Sequence, residues 1–373
     1  MRIFLYLFAI LLVSCSTTTV EYRTATTSLR NDRDYTKAEE YAIKALEVDP
    51  NDALPAYFLS MEVYGSTSSP KKDYKKAAFY FNKALEIDEL DGENQKLESS
   101  KIVPTSDGGQ KELKTIKAAI EYYSYNLWAE SFNEGISLIG SGKNEKAIEL
   151  FLVAVDFMPM EPKSYNALAT LYYESGDSKN ALEMADKALS MDSSFSTLWS
   201  IKGSIAMDQN NQILAEEMFR KAYNIALENK ESPENLSGHM SRLFDILFKN
   251  DKKSEALLLS ERLIESDPEN IDLYRNAGAV YQNILNDSFL AASEGFSRMN
   301  SLNEMELENL KIQFEDCINM ATKARENFLM CSELELDDVE SEIYYDESKK
   351  LKNRIKDIKR IIKDINKKLD ESE

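Results

Sequence analysis

The sequence is short of the residues that do most protein chemistry. One histidine, His239, stands among 373 residues. A metal site or acid–base pair built on histidine therefore has no second member. Three cysteines, Cys15, Cys317 and Cys331, are too few for a disulfide framework. Twelve glycines and eight prolines exclude a collagen-like chain and argue against a sandwich of many tight turns. No glycine-rich phosphate loop is present. Positive charge is scarce too: 45 Lys and Arg stand against 65 Asp and Glu, a formal net charge of −20. Such a surface repels phosphates, so nucleic acid is not an expected partner. What remains is an acidic chain, 43% hydrophobic, with enough apolar residues for a packed core. No catalytic residue, cofactor or metal is expected, and the chain does not read as an enzyme.

Apolar residues run from Ile3 to Val13 after a single basic residue, Arg2. Such a run spans about 16 Å as a helix, roughly half a hydrocarbon core. That length fits the apolar part of a signal peptide, here residues 1–14. The run ends in Leu12-Val13-Ser14-Cys15, which resembles the bacterial lipoprotein signal. The resemblance implies cleavage before Cys15, a diacylglycerol thioether on its sulfur and an acyl chain such as palmitate on the new amine. Two or more such chains, at about 0.8 kcal/mol per buried CH2, hold a protein lastingly on a membrane. Ser16, where an Asp would imply retention at the inner membrane, points to the outer membrane and a periplasmic face. Residues 15–33 then form a lipidated tether, rich in Ser and Thr at first, and the start of a first helix. No later apolar run approaches 18 residues.

The body repeats itself. YTKAEEYAIKALEVDPND (35–52), YKKAAFYFNKALEIDELD (74–91), NEKAIELFLVAVDFMPME (144–161) and SKNALEMADKALSMDSSF (178–195) share alanines at helical spacing followed by a helix end. The fullest copy, residues 162–195, has Tyr165, Leu168, Ala169 and Tyr172, then Gly176, then Ala181, Ala185 and Ala188. Its successor at 196–229 offers Trp199, Gly203, Ala215, Phe219 and Ala222, and its predecessor at about 128–161 offers Gly135, Gly142, Ala147, Phe151, Ala154 and Pro159. These segments resemble the tetratricopeptide repeat, a 34-residue pair of antiparallel helices. About seven units, some imperfect, cover roughly residues 20–300. The resemblance implies an all-α fold, a right-handed superhelical solenoid in which stacked pairs bury one another's apolar stripes. Small residues such as Gly203 and Ala215 belong where helices cross closely, and Trp199 and Phe219 are expected to fill the gap to the next unit.

Domain limits follow from where the pattern fails. N-terminal units occupy 34–98, with an insertion near Ser66 to Asp73. Residues 99–110 (SSKIVPTSDGGQ) break the period with Pro and Gly-Gly and read as a linker or loop. The main array spans 111–303, but its last second helix is hard to find, with Leu290, Glu294 and Ser297 in the expected slots. Residues 304–373 carry two heptad stripes, Leu310-Phe314-Cys317-Ala321-Ala324-Phe328-Cys331 and Leu351-Ile355-Ile358-Ile362-Ile365-Leu369. They predict a long C-terminal amphipathic hairpin that caps the solenoid. A homodimer through the last helix is the sharper alternative, and a regulatory subunit of an envelope enzyme or secretion machine is a further one.

In a solenoid of this kind the first helices of successive units line a concave groove. The groove slots are Lys163, Asn166, Thr170, Tyr173 and Glu174 in one unit, and Thr197, Ser200, Ser204, Met207 and Asp208 in the next. This mixed polar lining suits a peptide or helix segment of a partner protein. The Lys-Asn-Asn-Lys-Arg set with which some family members hold a peptide carboxylate is not completed, because Ser200 and Ser204 stand in its slots. The expected function is therefore a membrane-anchored scaffold or assembly factor of the bacterial envelope, with protein partners.

Overall fold

The computed structural model describes residues 18–93, 95–105 and 108–371. The expected signal peptide, the lipid-attachment residue Cys15 and the first tether residues lie outside them. The chain divides into two compact units between Ser193 and Ser194.

In the first unit helices pair in sequence order: α1 (Val20–Thr27) with α2 (Tyr35–Val48), α3 (Leu54–Phe58) with α4 (Tyr74–Leu90), α5 (Ile116–Gly140) with α6 (Asn144–Phe157) and α7 (Pro162–Glu174) with α8 (Ser178–Met191). Three of the second helices, α2, α4 and α8, start on a side-chain cap. Asp34, Asp73 and Asp177 each accept the backbone N–H three residues on, at 2.9, 3.0 and 3.1 Å, which satisfies a donor the helix cannot. Their alanine stripes are buried, for example Ala38, Ala42 and Ala45 on α2. The turns into α6 and α8 need a left-handed residue, supplied by Gly142 (φ 70°) and Gly176 (φ 82°), 34 positions apart. α1 and α3 run on into π-helical turns, Ser28–Asp32 and Leu59–Tyr64. An edge-on pair, Phe81 and Phe157 (5.4 Å), joins α4 to α6.

The segment 99–110 is not a linker. It lies almost wholly in an antiparallel hairpin of β1 (Lys96–Pro104) and β2 (Gln110–Thr115). Val103 and Leu113 are buried and join the core of this unit. The breakers that suggested a linker have another task. Pro104 sits at the strand end, and Gly108 (φ 83°) lies between the strands. The pairing Lys96↔Thr115 is followed by Lys101↔Leu113, so β1 carries three extra residues, a bulge. Residues 111–115, assigned to the main array, belong to β2, and α5 follows at once.

The second unit pairs α9 (Ser196–Asp208) with α10 (Gln212–Glu228), α11 (Pro233–Lys249) with α12 (Lys253–Ser266), and α13 (Ile271–Ser297) with α14 (Glu304–Leu334). α15 (Asp338–Asp370) closes the C-terminal hairpin on α14. Leu290, Glu294 and Ser297 do not mark a separate helix, because α13 is continuous through all three. Its partner is α14, which packs Phe328 over Gly278 and Leu310 over Gly295. Trp199 is half-buried, flanked by the ammonium groups of Lys202 and Lys221 at 5.5 and 4.8 Å from its ring. No helix among the described residues is long and apolar enough to cross a membrane.

Candidate functional site

On α7 the expected groove residues share one stripe, at spacings of three and four. Lys163 is exposed, and Asn166, Thr170 and Tyr173 are half-buried. The neighbouring stripe, Ser164, Tyr165, Leu168 and Ala169, is buried. Thr170 donates back to the Asn166 carbonyl at 3.0 Å, which ties its hydroxyl to its own helix. The Asn166 Oδ1 is buried and makes no hydrogen bond. A buried acceptor left unmatched costs about 1–3 kcal/mol.

The structure adds residues that the sequence reading passed over. Tyr125, Trp128 and Phe132 form an aromatic ladder along α5, with ring centroids 5.4 and 5.3 Å apart. The Trp128 indole N–H donates to Ser164 Oγ at 2.9 Å and so locks α5 to α7. The Lys163 ammonium lies 5.9 Å from the same ring. Tyr125 keeps 57% of its surface exposed. The signal was a run of aromatics at spacings of three and four. An aromatic step, a cation and an unmatched amide oxygen thus lie along two adjacent helices.

The expected residues of the second unit fare differently. Ser204 and Met207 are half-buried, and Met207 packs on the α10–α12 core. Ser200 is only 4% exposed and cannot line an open groove. Its Oγ lies 2.7 Å from Nδ1 of His239 on α11. The other ring nitrogen faces Glu231 Oε2 at 3.6 Å, and Ser196 donates to Oε1 of the same carboxylate. Helix periodicity gave Ser200 a polar face but could not reveal that α11 covers it. Burial holds the His239 pKa below its ordinary value, against the raising effect of Glu231. A neutral ring with its N–H towards Glu231 accepts from Ser200. Serine, histidine and carboxylate meet here as in a nucleophile relay, but the serine is nearly closed to solvent. The arrangement joins α9 to α11.

A second polar knot holds α10 to the turn before α12. Glu216 Oε1 accepts from Arg220 Nε (2.8 Å) and Lys252 Nζ (2.7 Å), while Oε2 accepts from Asn250 Nδ2 (2.8 Å). Burial alone would raise the Glu216 pKa, but Lys252, Asn250 and Arg220 outweigh it and bring it down to about 2 from 4.5. A depressed carboxylate stabilises the fold above its unfolded pKa and loses that contribution as pH falls towards the folded value. The side chain is 11% exposed, but Arg220 and Lys252 are 39% and 44% exposed, so solvent screens the pairs. Glu216→Gln is expected to cost about 2 kcal/mol at pH 7. The gap to wild type should narrow as pH drops below 4.5 and close near 2. Urea midpoints at pH 7 and pH 3 check this, and a gap that stays constant would contradict it.

A sequence model of the tetratricopeptide repeat matches residues 60–89 and 162–195. The chain carries tetratricopeptide repeats. The match at 162–195 coincides with the α7–α8 pair. Tetratricopeptide repeat protein 36 of Caenorhabditis elegans is 31% identical over 90 residues, 24% of this chain and 50% of that protein. Its Caenorhabditis briggsae counterpart is 30% identical over 88 residues, 24% of this chain and 49% of its own. The chain thus spans about half the length of the curated relatives it matches. Among solved structures, YrrB, a TPR protein, is similar with 17% identity, covering 57% of this chain and 88% of its own at a TM-score of 0.40. PilF of Pseudomonas aeruginosa is similar with 17% identity, covering 60% and 99% at 0.38. The repeat fold supports a protein–protein interaction scaffold, and the α5–α7 stripe is the repeat surface with the richest contact chemistry described above.

Proposed function

We propose that this tetratricopeptide repeat protein is a lipid-anchored scaffold of the bacterial envelope that binds a segment of a partner protein along α5 and α7. The observation that carries the binding reading is the aromatic step on α5, where Tyr125 is 57% exposed beside Trp128 and the Lys163 ammonium lies 5.9 Å from the Trp128 ring. The side chains of a bound peptide can rest on Tyr125, and a carbonyl or carboxylate of the peptide can meet Lys163. The anchor reading is supported by the sequence alone, through Leu12-Val13-Ser14-Cys15. Attachment at Cys15 would confine the search for partners to a surface and raise their local concentration. Ser16 favours the outer membrane and a periplasmic face.

One experiment addresses both parts. Cross-linked capture from detergent-solubilised envelopes is compared for wild type, Lys163→Glu with Tyr125→Ala, and Cys15→Ser. The stripe variant should lose the captured partner while staying in the membrane fraction. Cys15→Ser should leave the membrane fraction while still folding. Capture unchanged by the stripe variant would remove α5–α7 from the reading, and retention of Cys15→Ser in the membrane would remove the lipid.

A further inference from the structure

The first unit contains a cavity of about 130 Å³ that shares no residue with the α5–α7 stripe. Three departures from regular secondary structure build it. The π-helical turn Ser28–Asp32 contributes Leu29 and Arg30, and the π-helical turn Leu59–Tyr64 contributes Glu62. The bulge in β1 contributes Leu97, Glu98 and Ser99. π-helical turns are rare, and both they and bulges gather at functional sites because they re-aim side chains. Here the hairpin, an insertion that a regular repeat lacks, forms the wall that encloses the space.

The lining is sorted by chemistry. Leu54 and Phe58 add to the apolar part with Leu29 and Leu97. At the edge stand two ion pairs, Arg30–Glu98 at 2.9 Å and Lys101–Glu62 at 3.2 Å. Their members are 34–64% exposed, so each keeps free donors or acceptors towards water. Tyr57 is 4% exposed, and its hydroxyl is buried with no hydrogen bond of good geometry. Burial raises its pKa, partly offset by the adjacent Lys101 ammonium, so it stays protonated and able to donate. The cavity therefore offers a buried donor, two cations, two carboxylates and an apolar wall.

We propose that this cavity binds a small net-neutral zwitterion with an apolar arm, an aliphatic α-amino acid being the simplest. The ligand carboxylate meets the Tyr57 hydroxyl and Lys101. Its ammonium group meets the carboxylates of Glu62 and Glu98, and its side chain lies on Leu54, Phe58 and Leu97. The two cations and two carboxylates balance, so a singly charged ligand would bring an unbalanced charge to the edge whereas a zwitterion would not. The volume holds a molecule of a few heavy atoms, well below the roughly 300–1,000 Å³ of drug-sized pockets.

The test titrates the full chain with L-valine and L-leucine, followed by calorimetry and saturation-transfer NMR. Isovalerate and isopentylamine, which each keep one charge, serve as probes of the edge. The amino acids should bind, and each singly charged analogue should bind at least about tenfold more weakly. Tyr57→Phe keeps the ring and removes only the donor, and should weaken binding about tenfold. Leu54→Trp fills the space and should abolish binding, with helix content by circular dichroism unchanged. No signal up to about 10 mM ligand, a range where even weak small-molecule binding is visible, overturns the proposal. So does equal binding of the singly charged analogues, or an affinity that Tyr57→Phe leaves unmoved.

Discussion

Gly203→Val is expected to destabilise the second unit by about 3 kcal/mol or more. A Cβ on Gly203 would lie 2.7 Å from both Cδ1 and Cε1 of Phe219, and 3.1 Å from Cγ. The ring cannot retreat, because Phe219 is 1% exposed and shares its core with Ala215, Met240 and Leu243. Gly203→Ala separates the two effects. Alanine gains about 1 kcal/mol of helix propensity over glycine, while overpacking costs about 1–3. Its net loss should therefore be small, and valine adds a branched side chain to the same clash. Shortening the ring with Phe219→Leu should recover part of the loss in the double variant, a coupling that a thermodynamic cycle reads directly. Denaturant midpoints for the four proteins of the cycle and for Gly203→Ala check this. A Gly203→Val chain as stable as wild type would mean that α9 and α10 do not cross where the structure places them.

The same contact explains how far the sequence could be read. A Cβ on Gly135 would lie 2.7 Å from the Phe151 ring, as one on Gly203 would from Phe219. Each phenylalanine follows its glycine at the same interval, because one helix pair repeats every 34 residues. Ala169 and Ala185 take the same two places in the copy between them, and both are fully buried. The helix pairs were legible because every copy must solve this one crossing. In the last pair Gly278 meets Phe328, fifty positions on, since α13 overruns its expected end and the partner helix arrives late. The rule still operates there, but its spacing is lost, so α14 read as a separate cap.

The hairpin was illegible for a different reason. Of its residues, Leu97, Val103 and Leu113 are buried, too few to give an alternating signal, and the bulge interrupts even that. The candidate site was half legible. The α7 stripe follows from helical spacing, but Ser200 sits on an equivalent stripe and is covered by His239. Which polar face a neighbour will cover depends on the next helix's side chains, and periodicity within one helix does not hold that information. Trp128 was overlooked because its role depends on Ser164 and Lys163, which are distant in sequence.

Phe314→Ala should produce the other large loss, about 3–5 kcal/mol, as expected for removing a buried phenylalanine. Phe314 is fully buried on α14. Its ring meets Phe289 (5.8 Å) and Phe296 (6.1 Å) of α13 edge-on. α15 joins the same core with Leu351, Ile358 and Ile365, all buried, and Arg354 stacks on Phe289 at 3.9 Å. Of the apolar stripe that a dimer through α15 would use, Leu351, Ile358 and Ile365 are buried within the chain and Ile355, Ile362 and Leu369 are half-buried. Contacts within one chain melt at a temperature independent of protein concentration, whereas a stabilising dimer makes it rise with concentration. Wild type and Phe314→Ala should therefore each keep a fixed midpoint over a hundredfold dilution, about two decades, with the variant's shifted down throughout. A midpoint that climbs with concentration in wild type, and that Phe314→Ala does not lower, would place the stripe against a second copy. The basic character of α15 sharpens the comparison, because Lys352, Lys356 and Lys359 are exposed on the side away from Leu351 and Ile358. Replacing those lysines should leave the melting point nearly unchanged, since exposed charges contribute little to folding, while loss of the Phe314 ring removes what holds α14 to α13.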